Sequence, residues 1–230
     1  MLFRSRPVGS FGDVGAFSFC TDKIMSTGGE GGMVTTSDRV LWERMWSFKD
    51  HGKSWDAVYN RAHPAGFRWV HETFGTNWRL SEMQSAIGLV QLAKLDEWLA
   101  RRRANAGILA DGLSAVQGLR VPFPPAGVAH AFYKFYAFVQ PDQLGPGWDR
   151  DRVARSVAAA GAPCMHGICP EVYLEKAFDG TGLRPERRLD VASGLAKTSL
   201  MFPVDQTLDK EKMHKIVDAV TKVMRRAARR

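Results

Sequence analysis

Four glycines in five residues, Gly28-Gly29-Glu30-Gly31-Gly32, stand between two short β-prone runs, and this stretch limits the fold more tightly than any other. Residues without a Cβ reach backbone conformations closed to others and let a neighbouring chain or ligand pass close by, so such a cluster belongs in a shaped loop and not in a helix. Upstream, Val14 to Phe19 reads as a strand, with Ala16 and Ser18 on one face and Phe17 and Phe19 on the other. Downstream, Met33 to Thr36 reads as a second short strand. Cys20 to Gly32 is therefore a loop by composition, and Lys23 stands in it five residues after Ser18.

A lysine attacks a carbonyl only when deprotonated, which a site arranges by desolvation or by nearby positive charge. A serine close by can donate to a phosphate. An amine and a phosphate donor delivered together are what a pyridoxal phosphate (PLP) site requires. Spacing alone more readily describes a solvated lysine beside a hairpin.

The rest of the chain alternates helix and strand signals, which indicates α/β layers. Ser37 or Asp38 can cap a helix over roughly Arg39–Phe48, with Trp42 and Trp46 on one face. Lys49 to Thr76 carries Trp55, Tyr59, Phe67, Trp69 and Phe74 and reads as a structureless arm, a length usually tied to function or binding. Ser81 starts a helix that fits a capping box only loosely and keeps its spacing to about Leu113, long enough to bend or to bridge two domains. Beyond Gly118 the pattern changes. Phe132–Val139 is β-prone, Asp149–Ala160, Pro170–Phe178 and Arg188–Lys197 read as helices, and Thr207 can cap a last helix over about Leu208–Arg226.

Charge narrows the partners. The chain of 230 residues has 32 basic and 24 acidic residues, a net +8. Arg101 to Arg103 together with Lys222, Arg225, Arg226, Arg229 and Arg230 account for that excess, so the remainder is near neutral. No stacking aromatics accompany these arginines, and a nucleic-acid partner is not favoured. No apolar run approaches the ~20 residues of a membrane span, and three cysteines cannot pair completely, so a cytoplasmic setting is expected. Cys164, His166 and Cys169 lack a fourth ligand at plausible spacing, so no metal is expected.

Two segments together resemble a known family. Gly12-Asp13-Val14-Gly15-Ala16-Phe17-Ser18-Phe19, Lys23 and Gly29-Glu30-Gly31-Gly32-Met33-Val34-Thr35 form the first. His51-Gly52, Gly75-Thr76-Asn77-Trp78-Arg79-Leu80, Glu82, Gln84, Ala86, Gly88, Gln91-Leu92 and Lys94-Leu95 form the second. Both resemble the DegT/DnrJ/EryC1/StrS family of PLP-dependent sugar aminotransferases, and a softer third segment runs from Tyr173 to Phe178 and from Thr198 to Pro203. The resemblance implies an α/β fold: the C-terminal part of a fold-type-I PLP transferase large domain over residues 1–110, with an incomplete sheet, then a small α+β domain over 111–230. It assigns Lys23 as the catalytic lysine that bonds the cofactor, Ser18 as a phosphate ligand, and Asn77 as a phosphate ligand of the partner subunit's cofactor in a homodimer. His51, Arg79 and His166 are implied substrate contacts, although His51 equally suits a simple turn, Arg79 a salt bridge to Glu82 or a nearby loop, and His166 better suits a turn and packing role in the small domain.

The implied reaction moves an amino group from glutamate or glutamine to a keto group of a nucleotide-linked sugar. Related sugar dehydratases carry histidine where Lys23 stands, so dehydration is disfavoured; a non-catalytic fragment is the other alternative. Family members carry a long segment before the lysine, with a phosphate-binding turn, a ring-stacking aromatic and an aspartate for the ring nitrogen. The chain therefore reads as truncated, and is expected to be catalytically silent alone.

Overall fold

The computed structural model describes residues 2–167 and 170–229. Cys169, named above as a possible ligand, lies outside them. Strands β1 (Leu2–Phe3), β2 (Arg6–Pro7), β3 (Gly15–Ser18) and β4 (Gly32–Thr35) come first, followed by helices α1 (Arg39–Lys49), α2 (Trp55–Tyr59), α3 (Glu82–Ala93) and α4 (Leu95–Leu113). Then come β5 (Leu119–Arg120), β6 (Val128–Ala129), β7 (Phe135–Val139), α5 (Arg150–Ala159), β8 (Met165–His166), α6 (Asp190–Thr198), β9 (Ser199–Phe202) and α7 (Lys210–Ala227). They form two compact units, one of residues 1–96 with 127–129, the other of 97–126 with 130–230. No helix among the described residues is long and apolar enough to cross a membrane.

In the first unit β3 and β4 pair antiparallel, with Ala16 opposite Val34 and Phe17 opposite Met33. Phe17, Met33 and Val34 stay about half exposed on this two-stranded ribbon, an arrangement that is marginal without further strands or a packed layer. Asp38, not Ser37, caps α1: its carboxylate accepts from the N–H groups of Val40 and Leu41. Ser81 caps α3 in a full reciprocal capping box with Gln84, tighter than the sequence suggests. The helical pattern after Ser81 is interrupted at Lys94, whose N–H is shared between the carbonyls of Gln91 and Leu92, and α4 starts at the next residue.

The arm after α1 is not structureless. Ser54 caps the short α2, whose Trp55 packs edge-on against Trp42 and Trp46 at ring-centroid distances of 4.7 and 5.1 Å. Arg61 ties the end of α2 to Asp56 and to Glu72 on the returning segment. A five-residue helix is too short to leave a periodic signal, and its stability comes from this aromatic packing. Among the described residues, Ala57 and Val70 are the buried apolar side chains of this unit.

The second unit holds the main core. Its antiparallel sheet runs β5-β7-β9-β8, with Phe135, Ala137 and Val139 of β7 alternating inward and every residue of β9 buried. Met213, Ile216, Val220, Val223 and Ala227 form the inner stripe of α7, at helical spacing. The helix expected over Pro170–Phe178 is instead two 3₁₀ turns, Val172–Leu174 and Lys176–Phe178. Asp209, not Thr207, caps α7: Thr207 is engaged with Asp205, while the Asp209 carboxylate accepts from the Lys212 N–H at 2.8 Å.

The arginine run at the start of this unit is only partly solvated. Arg102 is buried and donates to Gln206 Oε1 at 2.9 Å and to the carbonyls of Phe132 and Tyr133 at 3.1 and 3.2 Å. Burial lowers its pKa, against the opposing pull of the Asp205 carboxylate. Phe132 holds a left-handed backbone, φ +48°, costly for a bulky side chain unless its surroundings fix it. Arg102→Met keeps the apolar stem and removes the donors, and is expected to cost about 2–4 kcal/mol of this unit's stability. Denaturant melts followed by far-UV circular dichroism check this; a loss within error of zero would mean that solvent replaces the guanidinium.

Candidate active site

Ser18 ends β3, and its Oγ accepts the Cys20 N–H at 3.3 Å, shaping the turn that leads to Lys23. The Lys23 N–H donates to the Cys20 carbonyl at 3.1 Å, and its Nζ donates to Asp22 Oδ1 at 3.2 Å. Both side chains of that ion pair are at least one-third exposed, 35% and 58%, so it is a weak restraint, on the order of 0–1 kcal/mol. The neck of the loop is firmer. The Phe19 N–H donates to the Gly31 carbonyl at 2.7 Å, and the Thr27 N–H to the Phe19 carbonyl at 3.2 Å. Ser26 and Thr27 are buried, and the Ser26 N–H donates to Gln91 Oε1 of α3 at 2.8 Å.

His51, Asn77 and Arg79 are brought together around a residue the sequence reading passed over. Asp50 is buried at the base of the arm, and Lys53 Nζ donates to its Oδ1 at 3.1 Å. His51 Nδ1 and Arg79 Nε lie 3.3 and 3.7 Å from the same oxygen. Its backbone bridges that of Asn77, and the Thr76 and Trp78 N–H groups donate to the Phe48 and Lys49 carbonyls at 2.7 and 3.0 Å. Arg79 turns to Asp50 and Asn77: its Nε donates to Asn77 Oδ1 at 3.0 Å. With that oxygen taken, Asn77 offers a ligand its Nδ2 donors, the polarity that suits a phosphate oxygen. The signal in the sequence was an acid flanked by cations, Lys49-Asp50-His51-Gly52-Lys53, in a glycine turn.

Burial pushes the Asp50 carboxyl up, but the hydrogen bonds from Lys53 and His51 and the charges of Lys53 and Arg79 outweigh it and hold its pKa below the ordinary value. A depressed folded-state pKa adds stability that is complete above the unfolded value of about 3.9 and fades as pH falls through the lower folded one. Amide-exchange protection of residues 47–54 and 70–78 is therefore expected to hold above about pH 4 and to weaken below it. Asp50→Asn should flatten that dependence; the same acid slope in the variant would assign the effect to another carboxylate.

His166 sits on β8 of the other unit, half exposed, with Nε2 3.4 Å from Asp151 Oδ1. The hydrogen bond from Arg150 is the main reason the Asp151 carboxyl stays below its usual pKa. Burial pushes the Cys164 thiol up to about 12, which makes it a packing residue and not a thiolate. Among the described residues no group of three His, Cys, Asp or Glu side chains is placed to hold a metal ion.

Comparison with known proteins gives this geometry a context. The chain is 29% identical over 218 residues to dTDP-3-amino-3,4,6-trideoxy-alpha-D-glucose transaminase of Streptomyces venezuelae, covering 95% of this chain and 52% of that protein. It is 33% identical over 242 residues to L-glutamine:2-deoxy-scyllo-inosose aminotransferase of Streptoalloteichus tenebrarius, covering 96% and 55%. Among solved structures, an aminotransferase from Psychrobacter cryohalolentis superposes with a TM-score of 0.93 at 50% identity, covering 97% of this chain and 59% of that one. The chain thus spans about half the length of the curated relatives it matches. The family's sequence profile extends over residues 2–221, taking in the Lys23 loop, the Asp50–Asn77 junction and the second unit alike; the chain belongs to the DegT/DnrJ/EryC1/StrS aminotransferase family.

Proposed function

We propose that this chain carries the lysine-bearing part of a cytoplasmic PLP-dependent aminotransferase that passes an amino group from glutamate or glutamine to a keto group of a nucleotide-linked sugar. The observation that carries the reading is Lys23 in a loop closed at its neck, with the Ser18 hydroxyl at the loop's start. The donor set suits the cofactor: an amine for its carbonyl carbon, and the Ser18 hydroxyl and Asn77 amide as neutral donors for phosphate oxygens. Residues 1–110 then read as the remainder of the cofactor-binding large domain, and 111–230 as the small domain.

When bound, the cofactor supplies an electron-withdrawing ring that stabilises charge at the reacting carbon. Lys23 would hold it through Nζ, and with an amino donor in that place the freed amine would take the proton from the donor's α-carbon and carry it away from that carbon, as moving the amino group requires. Ser18 would orient the phosphate, and Asn77 that of the partner subunit's cofactor. Arg79, held by Asp50, fixes the amide of Asn77, and His51, Arg79 and His166 are the proposed substrate contacts.

A homodimer suits the arm. Trp69 and Phe74 are 86% and 101% exposed, and aromatic rings of this kind are enriched where subunits meet. In that assembly Asn77 serves the partner's cofactor.

The experiment incubates the chain with PLP, reduces with borohydride and maps the modified lysine by peptide mass. Preferential labelling of Lys23 is expected. Labelling spread evenly over the exposed lysines would remove the basis of the proposal.

A further inference from the structure

One face of α3 is built for the Lys23 loop. Residues Gln84, Ile87, Gly88 and Gln91 lie at i, i+3, i+4 and i+7, a single stripe of the helix. Gln91 Oε1 accepts the Ser26 N–H at 2.8 Å, and Gln84 Nε2 donates to the Glu30 carbonyl at 2.7 Å. Between them Gly88, the buried residue of α3, lies against Thr27: a Cβ there would sit 3.1 Å from Thr27 Cγ2. A Cβ on Gly28 would sit 2.8 Å from Ile87 Cδ1. The segment from Ser26 to Glu30 is thus held at both ends on a helix more than fifty residues away in sequence, and Lys23 stands just outside the fixed end.

Gln84 has two duties that separate by chemistry. Its Oε1 accepts from the Ser81 N–H and Oγ at 3.3 and 3.0 Å, completing the helix cap, while its Nε2 grips the loop. A glutamate serves a capping box as well as a glutamine does, but has no amide to donate. The amide at this position is therefore explained by the loop and not by the helix. At Gln91 the requirement is reversed: the loop uses the acceptor oxygen, which a glutamate would keep.

We propose that Gln84 and Gln91 are positioning residues for Lys23, fixing the Ser26–Glu30 segment on α3 and with it the place of the amine; this rests on the reading of Lys23 as the cofactor lysine. Covalent capture depends on the amine being held where the carbonyl carbon arrives, and a displacement near 1 Å costs on the order of 10²-fold in rate. Neither glutamine touches the reacting atoms in this role.

The test compares Gln84→Glu, Gln91→Met and Gln91→Glu in the full chain, first by amide hydrogen exchange over residues 19–31 and then by the rate at which PLP and borohydride label Lys23. In the labelling, the aldehyde condenses with the amine with loss of water, and borohydride hydride reduces the resulting C=N bond. Labelling of the exposed Lys212 in the same digest is the internal reference. Gln84→Glu and Gln91→Met are expected to speed exchange in the loop and to slow Lys23 labelling about tenfold or more relative to Lys212. Gln91→Glu adds the same charge to the same face as Gln84→Glu, yet is expected to keep both properties near the parent values. Faster exchange with unchanged Lys23 labelling would mean a purely structural role and overturn the proposal, as would equal behaviour of the two glutamate variants. Absence of preferential Lys23 labelling in the parent chain would instead defeat the reading of Lys23 itself, and this proposal with it. If Gln91→Met fails to fold, the contrast between the two glutamate variants still decides.

Discussion

Lys23→Ala is expected to abolish preferential capture of PLP and to lower whatever transamination with glutamate the parent shows by about 10²–10⁴-fold, the range set by a positioned general acid–base group. The second effect is separable from the first. The alanine variant keeps the phosphate donors, Ser18 of its own chain and Asn77 of the partner subunit, but has no amine to move the donor's proton. Exogenous methylamine is small enough to stand in for the lost side chain, and partial recovery of rate with added amine is expected. Lys23→Arg is the companion variant: it keeps the positive charge near Asp22 but offers no nucleophile at neutral pH, since a guanidinium stays protonated. If the arginine or alanine variant captures PLP as the parent does, Lys23 is a surface lysine and the assignment is wrong.

Gly52→Ala is expected to be the most damaging change in the arm, at about 3 kcal/mol or more. Gly52 has φ +81°, and a Cβ there would overlap the carbonyl of Thr73. The same residue closes the junction: its N–H donates to the Ser47 carbonyl at 2.8 Å, and its carbonyl accepts from Glu72 and Thr73 at 3.0 and 3.2 Å. His51 beside it is also left-handed, at φ +60°. Two consecutive residues of that hand turn the chain sharply enough for the Lys49–Lys53 segment to meet the Thr73–Trp78 segment. Opening this turn separates Asp50 from Arg79, and the Asn77 amide loses its fixed orientation. Fluorescence of the arm tryptophans and exchange at Thr76 and Trp78 should both report the change. A variant with parent-like exchange there would mean that the Thr73 carbonyl can move aside at little cost.

Elements with a local cause were legible in the sequence; those with a distant cause were not. Asp38 and Ser81 cap helices within three residues of themselves, and the apolar stripe of α7 repeats through its whole length, so both kinds of signal lie in short windows. Lys23 and Ser18 could be paired because one short loop joins them. Asp50 gave only a weak sign, because Arg79 reaches it from 29 residues further on. Arg102 looked like its neighbours Arg101 and Arg103, since a run of identical residues carries no periodicity; its inward direction is set by the carbonyls of Phe132 and Tyr133. The cap of α7 was misplaced by two residues because Thr207 and Asp209 are both good caps, and Asp205 engages the first. Gln84 and Gln91 were visible as part of a motif, but their opposite uses of the amide appear only with Ser26 and Glu30 in place.

The uneven distribution of buried apolar side chains has a thermal consequence. Nearly all of that burial lies in the unit built on β5, β7, β8 and β9, while the unit bearing Lys23 keeps Ala57 and Val70 and a cluster of tryptophans. Hydrophobic burial is the main source of both cooperativity and heat capacity of unfolding, so the two parts of the chain have no reason to melt together. On heating, the near-ultraviolet signal of Trp42, Trp46 and Trp55 is expected to fade first, while helicity carried by α4, α5 and α7 is expected to persist to a higher temperature. A single melting temperature would then describe the spectroscopic probe chosen and not the protein. A bound ligand that raised only the lower transition would reveal which half of the molecule it holds, before any rate is measured.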